Sequence, residues 1–234
     1  MATAIKNGSE VKTVVAKPET AKPEKLTITP PKIEVCEVKI VGTSPYVQNR
    51  FAAKAMEQMK AKQASGSQAN KGKKRDAKDF QECYRQAQHV SPDGWHGIPA
   101  PAFRNGMIEA CRLVGFKMTI AKRSLFCDAD GVDVIDGTPL VKITKGEPRY
   151  VEHAVRNETG VADIRPRPMW DAGWEAVVRI RYDAEMFSNL DIVNLLARVG
   201  AQEGIGEGRA GSKKSAGCGW GFFELAGGIL FLPA

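Results

Sequence analysis

The chain has 234 residues, of which 43% are hydrophobic and 26% are charged, and its formal net charge is +7. This composition is ordinary for a globular protein and excludes a chain that is disordered throughout. The longest apolar run, at residues 226–234, is too short for a transmembrane helix, which needs roughly 20 residues. The N-terminus has no apolar stretch of the signal-peptide type, so we do not expect secretion by that route.

The positive charge is concentrated in two segments of low complexity. Residues 1–32 carry six Lys and three Glu, net +3, and residues 54–75 carry net +6, which leaves −2 for the rest of the chain. The first segment is rich in Lys, Pro, Glu and Thr and predicts a disordered basic arm. The second becomes rich in Ser, Gly, Asn and Lys and predicts a flexible basic loop. Net charge alone is therefore a weak argument for a polyanionic partner.

The cysteines and histidines do not form a sequence motif for metal binding or for disulfides. The five cysteines are widely spaced and include no C-x-x-C pair, which indicates a reducing compartment. The three histidines, His89, His96 and His153, have no partner at metal-ligand spacing. The acidic segment 128–133 lacks the Gly and Glu positions of a calcium loop and predicts an acidic turn. We therefore expect neither a metal ion nor another cofactor.

Hydrophobic periodicity predicts a mixed α+β chain. Alternating apolar residues indicate strands, and apolar residues three and four apart indicate helices. In chain order, we expect a strand at 34–41, helices at 51–62, 79–89 and 102–114, strands at 116–121, 140–144, 149–155 and 175–182, a helix capped by Ser188 and ended by Gly200, and a strand at 219–225. Asp191 completes a capping box with Ser188.

The order of these elements predicts a fold class. Without insertions at about 50–90 and 124–170, it is β-α-β-β-α-β, the ferredoxin-like or RRM-like arrangement. We therefore expect an RRM-like palm at 33–226, followed by a short tail at 227–234. One face of such a sheet is free to meet a single strand of nucleic acid.

A glycine-rich loop precedes the last predicted strand. Residues 200–221 contain eight glycines, with Arg209, Lys213 and Lys214 among them. Residues 206–211 match G-x-G-x-x-G, but they follow a helix and precede a strand, which excludes the dinucleotide-binding motif. The loop is therefore either a backbone cradle for nucleic-acid phosphates or a mobile connection.

Cations and aromatic residues are interleaved before and within the strand at 175–182. The residues concerned are Arg165, Arg167, Trp170, Trp174, Arg179 and Arg181. This pattern suits phosphate contacts combined with base stacking. Arg179 and Arg181 share one strand face and are the stronger candidates. The two Trp residues fit base stacking and core packing equally well.

Three segments carry a resemblance to a known family. Residues 38–46 are similar to a first strand and its turn, 97–108 to the entry into a first helix, and 204–223 to a C-terminal glycine-rich loop. Together they resemble the RAMP superfamily of CRISPR proteins, particularly the backbone subunits that bind guide RNA. The helix entry departs from the family pattern, because Pro99-Ala100-Pro101 stands where Pro-Gly-Ser is usual.

The resemblance implies a non-enzymatic palm that binds single-stranded RNA or DNA largely without sequence preference. It also implies a filament-like homo-oligomer or a larger ribonucleoprotein complex, a cytoplasmic location in a bacterial or phage-infected cell, and no membrane partner. The insertion at 50–90 would lie near the nucleic acid, and the segment 124–170 would form a thumb-like hairpin. The candidate nucleic-acid-binding residues are Arg50, Arg104, Arg165, Arg167, Trp170, Arg179, Arg181, Arg209, Lys213 and Lys214.

Two alternatives stay open at the level of sequence. One is an endoribonuclease of the same superfamily, which would cut RNA by metal-independent general acid–base chemistry with His89 or His96 as the base. The nucleic-acid binder itself is either a subunit of a CRISPR-type complex or a stand-alone relative, such as a phage or mobile-element protein. The other alternative is a structural or assembly protein, for instance of a phage. In that case the basic arm would merely contact a polyanion or a partner protein.

Overall fold

Antiparallel strand pairing organises the chain into two sheets in a computed structural model. The structure describes residues 28–51, 57, 60, 63–64, 78–156, 162–212 and 217–233. The predicted arm at 1–32 and the predicted basic loop at 54–75 lie almost entirely outside these residues, as do Lys213 and Lys214. The elements below belong to one unit, Pro31–Ala234.

Short elements follow one another closely along the chain. The strands are β1 (Ile33–Gly42), β2 (Tyr46–Val47), β3 (Gly97–Pro99), β4 (Leu125–Asp128), β5 (Gly131–Val132), β6 (Pro139–Lys145), β7 (Arg149–Arg156), β8 (Ala162–Trp170), β9 (Glu175–Asp183), β10 (Phe223–Leu225) and β11 (Leu230–Pro233). The helices are α1 (Phe80–Gln86), α2 (Ala100–Leu113), α3 (Met118–Ser124) and α4 (Asn189–Arg198), and a π-helical turn follows at Val199–Glu203.

The larger sheet is built around β1 and β9. Its order is β10-β1-β9-β6-β3, and β11, β4 and β5 pair with β1, β9 and β6 respectively. The pairs within it are antiparallel. The predicted tail at 227–234 includes β11, which pairs with β1. This mixed architecture agrees with the predicted α+β class.

The core lies between one face of the larger sheet and the helices α2 and α4. Phe103 and Met107 of α2 join Ile192 and Leu196 of α4 in one cluster with the inward residues of β1 and β9. Each pair is separated by four residues and therefore lies on one face of its helix. The predicted capping box is also present, because the Ser188 side chain accepts from the Asp191 backbone and the Asp191 side chain accepts from Ser188. This cap fixes the start of α4.

The smaller sheet has the order β2-β8-β7, and its strands β7 and β8 lie in the segment 124–170 that the resemblance predicts as a thumb-like hairpin. Strand β7 agrees with the predicted strand at 149–155, whereas the sequence pattern does not predict β8. Pro166 and Pro168 obscure the strand pattern of β8, since proline is disfavoured within sheets. Strand β2 pairs with Met169 and Trp170, at the end of β8. The hairpin positions three of the candidate residues.

The predicted strand at 116–121 is wrong. The chain forms helix α3 there and enters its strand only at Leu125, where β4 pairs with β9. Six residues are too few to distinguish the alternation of a strand from the three- and four-residue spacing of a helix. Within α3 the buried residues are Ala121 and Ser124, and their spacing of three places both on one helix face.

The predicted end of the helix at Gly200 is also wrong. The chain continues through the π-helical turn and leaves it at Gly204, which has φ +69°. A Cβ atom at Gly200 would lie 2.1 Å from the carbonyl oxygen of Phe223. Gly200 therefore permits close approach to β10 and does not end the helix.

Candidate nucleic-acid interface

A cleft of 1010 Å³ lies beside the β7–β8 hairpin and the glycine-rich loop. Pro99 and Ala102, at the start of α2, also line it. Its charged and aromatic lining residues are Tyr46, His89, Glu152, His153, Arg165, Arg167, Glu207, Arg209 and Trp220. Arg165 and Arg167 of β8 therefore share one concave surface with Arg209 of the glycine-rich loop.

The glycine-rich loop is tied to the fold in its described part. Gly206 and Gly208 have φ +80° and +78°. A Cβ atom at Gly206 would lie 2.5 Å from the Val47 carbonyl oxygen, and one at Gly208 would lie 2.3 Å from the Trp220 ring. The backbone N–H of Glu207 donates to Val47 at 2.9 Å, and that of Gly221 donates to Pro45 at 2.7 Å. These two amides are therefore engaged within the protein and are not available to a phosphate.

The three arginines of the cleft are held by neighbouring groups. Arg167 donates from Nε to Glu207 and from Nη1 to the Pro166 carbonyl oxygen at 3.0 Å. Arg165 donates from Nε to Asp163 at 3.1 Å, and Arg209 donates from Nη1 to Gly206 at 3.1 Å. These contacts fix the guanidinium groups before any ligand binds, which reduces the entropy lost on binding.

An aromatic pair lies beside these arginines. The rings of His153 and Trp220 have centroids 4.7 Å apart and an interplanar angle of 42°. Burial lowers the pKa of His153, although Glu207 opposes this shift. His153 is therefore largely neutral at pH 7, and the pair offers an uncharged surface on which a base can stack.

Other candidate residues lie outside the lining of the cleft. Trp170 and Trp174 are fully buried, so both pack in the core and neither offers a face for base stacking. Arg104 donates to the carbonyl oxygens of Leu125 and Lys122, at the junction with α3 and β4. Arg50 is 3% exposed, and its Nη1 and Nη2 atoms have no hydrogen-bond partner among the described residues.

Arg179 and Arg181 share the outward face of β9, as the sequence predicts, but carboxylates accompany both. Arg179 donates to Asp130 and lies 3.8 Å from Glu37. Arg181 lies 3.5 Å from Asp128. The sheet face is thus partly neutralised by acids from β1, β4 and the turn after β4. A phosphate would have to compete with these carboxylates.

The histidines of the endoribonuclease alternative are in different environments. His89 lines the cleft, and its Nδ1 lies 2.8 Å from Oδ2 of Asp133. Burial lowers the pKa of His89, whereas Asp133 opposes this shift. His96 packs edge-on against Trp170 and is outside the cleft lining. The alternative therefore depends on His89, and whether the protein is an enzyme stays a prediction.

One group of possible metal ligands is present in the described part of the chain. His89, Asp133 and Asp136 each offer one ligand atom, and these atoms lie within 4.8 Å of one another. Sequence spacing did not reveal this group, because His89 and Asp133 are 44 residues apart. No spacing motif for metals covers such a separation, and only the fold brings the residues together.

Comparison with known proteins identifies no family for this chain. No family model and no curated protein matches it. Among solved structures it is similar to a chain in the cryo-EM structure of the type III-B Cmr-beta bound to cognate target RNA, with a TM-score of 0.49 and 10% identity. The match covers 86% of this chain and 61% of that chain. None of the described helices has the length and hydropathy needed to cross a membrane.

Proposed function

We propose that this protein binds single-stranded nucleic acid in the cleft beside the β7–β8 hairpin, largely without sequence preference. The observation that carries the proposal is the convergence of Arg165, Arg167 and Arg209 beside the His153–Trp220 pair. Guanidinium groups bind phosphates, and aromatic rings stack on any base, so the combination favours a flexible single strand. The proposal covers RNA and single-stranded DNA, since neither kind of contact requires a 2′-hydroxyl group.

We further propose that the fold is a RAMP-like variant of the ferredoxin-like palm. The strand order supports this assignment, because β10, β1 and β9 are successive neighbours and β4 lies beside β9. With α2 between β1 and β4, and α4 between β9 and β10, the core elements follow β-α-β-β-α-β. The three sequence segments of the resemblance support the same assignment. Assembly into a homo-oligomer or a ribonucleoprotein belongs to this proposal.

The cleft is a better candidate than the open sheet face. Arg179 and Arg181 face carboxylates contributed by β1, β4 and the turn after β4, so phosphate binding there would displace several ion pairs. In the cleft, Arg165 and Arg167 also pair with carboxylates, those of Asp163 and Glu207, whereas Arg209 donates to a backbone carbonyl oxygen. A charge-assisted bond to phosphate is stronger than such a contact.

The test compares two double variants in fluorescence anisotropy with a labelled single-stranded oligonucleotide at several salt concentrations. We expect Arg165→Ala with Arg209→Ala to weaken binding of every sequence and to reduce the salt slope by about one per lost contact. The matched control, Arg179→Ala with Arg181→Ala, also removes two arginines and should change affinity less. If the control weakens binding as much as the cleft variant, or the cleft variant binds as tightly as the wild type, the proposal is wrong.

A further inference from the structure

A buried His–Asp pair lies where the segment before β3 meets the turn between β5 and β6. Nδ1 of His89 is 2.8 Å from Oδ2 of Asp133, and both residues are buried. Asp136, three residues further along the turn, is exposed. One potential ligand atom from each residue lies within 4.8 Å of the other two. The three side chains thus form a nitrogen and two-carboxylate donor set with an opening to solvent.

Backbone hydrogen bonds hold both carboxylates in place. Oδ1 of Asp133 accepts from the backbone of Ile135 at 2.8 Å, and Oδ1 of Asp136 accepts from the backbone of Thr138 at 2.9 Å. The backbone N–H of His89 is fixed by Oε1 of Gln48 at 2.9 Å. These contacts position the ligand groups. One oxygen of each carboxylate takes no part in these backbone hydrogen bonds. Such outer contacts orient the ligands of protein metal sites.

Arg50 is a buried cation whose charge acts on this cluster. Only 3% of the residue is exposed, and Nη1 and Nη2 lack hydrogen-bond partners among the described residues. Its charge acts on both His89 and Asp136. Two carboxylates and one guanidinium leave the cluster negative when His89 is neutral. Binding of a divalent ion would make the cluster positive, which suits an anion such as phosphate in a remaining coordination position.

We propose that His89, Asp133 and Asp136 bind a zinc ion, with a water molecule or a phosphate oxygen in the remaining coordination position. One imidazole and two carboxylates match the nitrogen and oxygen ligands of zinc sites that keep an open position. Magnesium fits less well, since it prefers oxygen ligands alone. The His89–Asp133 hydrogen bond is replaced in the metal-bound form by one bond from each residue to zinc. This inference does not depend on nucleic-acid binding by the cleft.

The experiment measures zinc binding by the full chain in the absence of nucleic acid. The protein is stripped with a chelator, titrated with zinc by calorimetry, and assayed for zinc retained after gel filtration. We expect one zinc ion per chain and much weaker binding of magnesium. Asp136→Asn should weaken zinc binding roughly 10- to 100-fold or more, because loss of a ligand costs at least as much as loss of an outer contact.

Matched variants distinguish the loss of a zinc ligand from the general effect of removing a carboxylate or an imidazole. Asp171→Asn removes another exposed carboxylate, outside the cluster, and should bind zinc as the wild type does. His89→Gln should repeat the loss, whereas His153→Gln should not, and circular dichroism establishes that each variant is folded. The proposal is overturned if the folded wild type takes up no zinc, if magnesium binds equally well, or if folded Asp136→Asn and His89→Gln variants retain wild-type affinity.

Discussion

Arg167 of β8 donates from Nε to Glu207 of the glycine-rich loop, which joins two walls of the cleft through one ion pair. The side chains are only 11% and 23% exposed. Nη1 of Arg165 lies 4.0 Å from the same carboxylate. One acidic side chain therefore offsets the charge of two arginines that we propose as phosphate contacts. An incoming phosphate has to take the place of Glu207, and this substitution lowers the affinity of the cleft.

Replacing Glu207 should therefore strengthen nucleic-acid binding. We expect Glu207→Gln to increase affinity for a single-stranded oligonucleotide by roughly 2- to 5-fold, on the scale of one weak ion pair. Anisotropy at moderate salt measures the change. Glu109→Gln, an exposed glutamate on α2, is the matched control and should have little effect. Unchanged or weaker binding by Glu207→Gln would contradict the role given to this carboxylate.

Trp220 should contribute stacking and not charge. We expect Trp220→Ala to weaken binding by about 1–3 kcal/mol, the usual contribution of one stacked base, with an unchanged salt slope. Trp220→Phe keeps an aromatic face and should recover most of the affinity. A reduced salt slope in Trp220→Ala would indicate that the loop had moved and carried Arg209 away from the phosphates.

Gly42, at the end of β1, should be required for stability, because the Trp174 ring occupies the space of a side chain. A Cβ atom there would lie 2.0 Å from Nε1 of Trp174, which donates to Ser44 at 3.0 Å. We expect Gly42→Ala to lower the free energy of unfolding by about 1–3 kcal/mol, as overpacking does. Gly228→Ala is the control, since a Cβ atom at Gly228 would have no described neighbour within 4 Å. Equal denaturation midpoints for the two variants would refute this packing argument.

Acidification should destabilise the fold through His96. Burial lowers the pKa of this side chain below 6.5, although Glu147 opposes the shift. The unfolded chain therefore binds the proton more readily, and the stabilising effect is complete above about pH 7 and is lost as pH falls below about 6.5. We expect His96→Phe, which cannot be protonated, to lose less unfolding free energy than the wild type between about pH 7 and about pH 5.5. Parallel urea-denaturation profiles over that range would show that His96 is not responsible.

Local patterns in the sequence determined much of the framework. Alternation identified β1 and β9, the spacing of Phe103 and Met107 identified the buried face of α2, and Ser188 with Asp191 marked the start of α4. Each of these features depends on residues within a few positions of one another. Backbone geometry alone therefore makes them visible in the sequence.

Only the tertiary structure decided which side chains act together. The sequence places Arg179 and Arg181 on one strand face, but strand register brings Asp128 and Glu37 beside them. Arg167 meets Glu207 across 40 residues, and His89 meets Asp133 across 44. Such pairs depend on the order of the strands in the sheets and on where the loops lie. The hydrophobic periodicity of the sequence does not determine either. The sequence therefore determined the class of fold and the number of cations, whereas long-range packing decided which carboxylates lie beside each cation and which cations line the cleft.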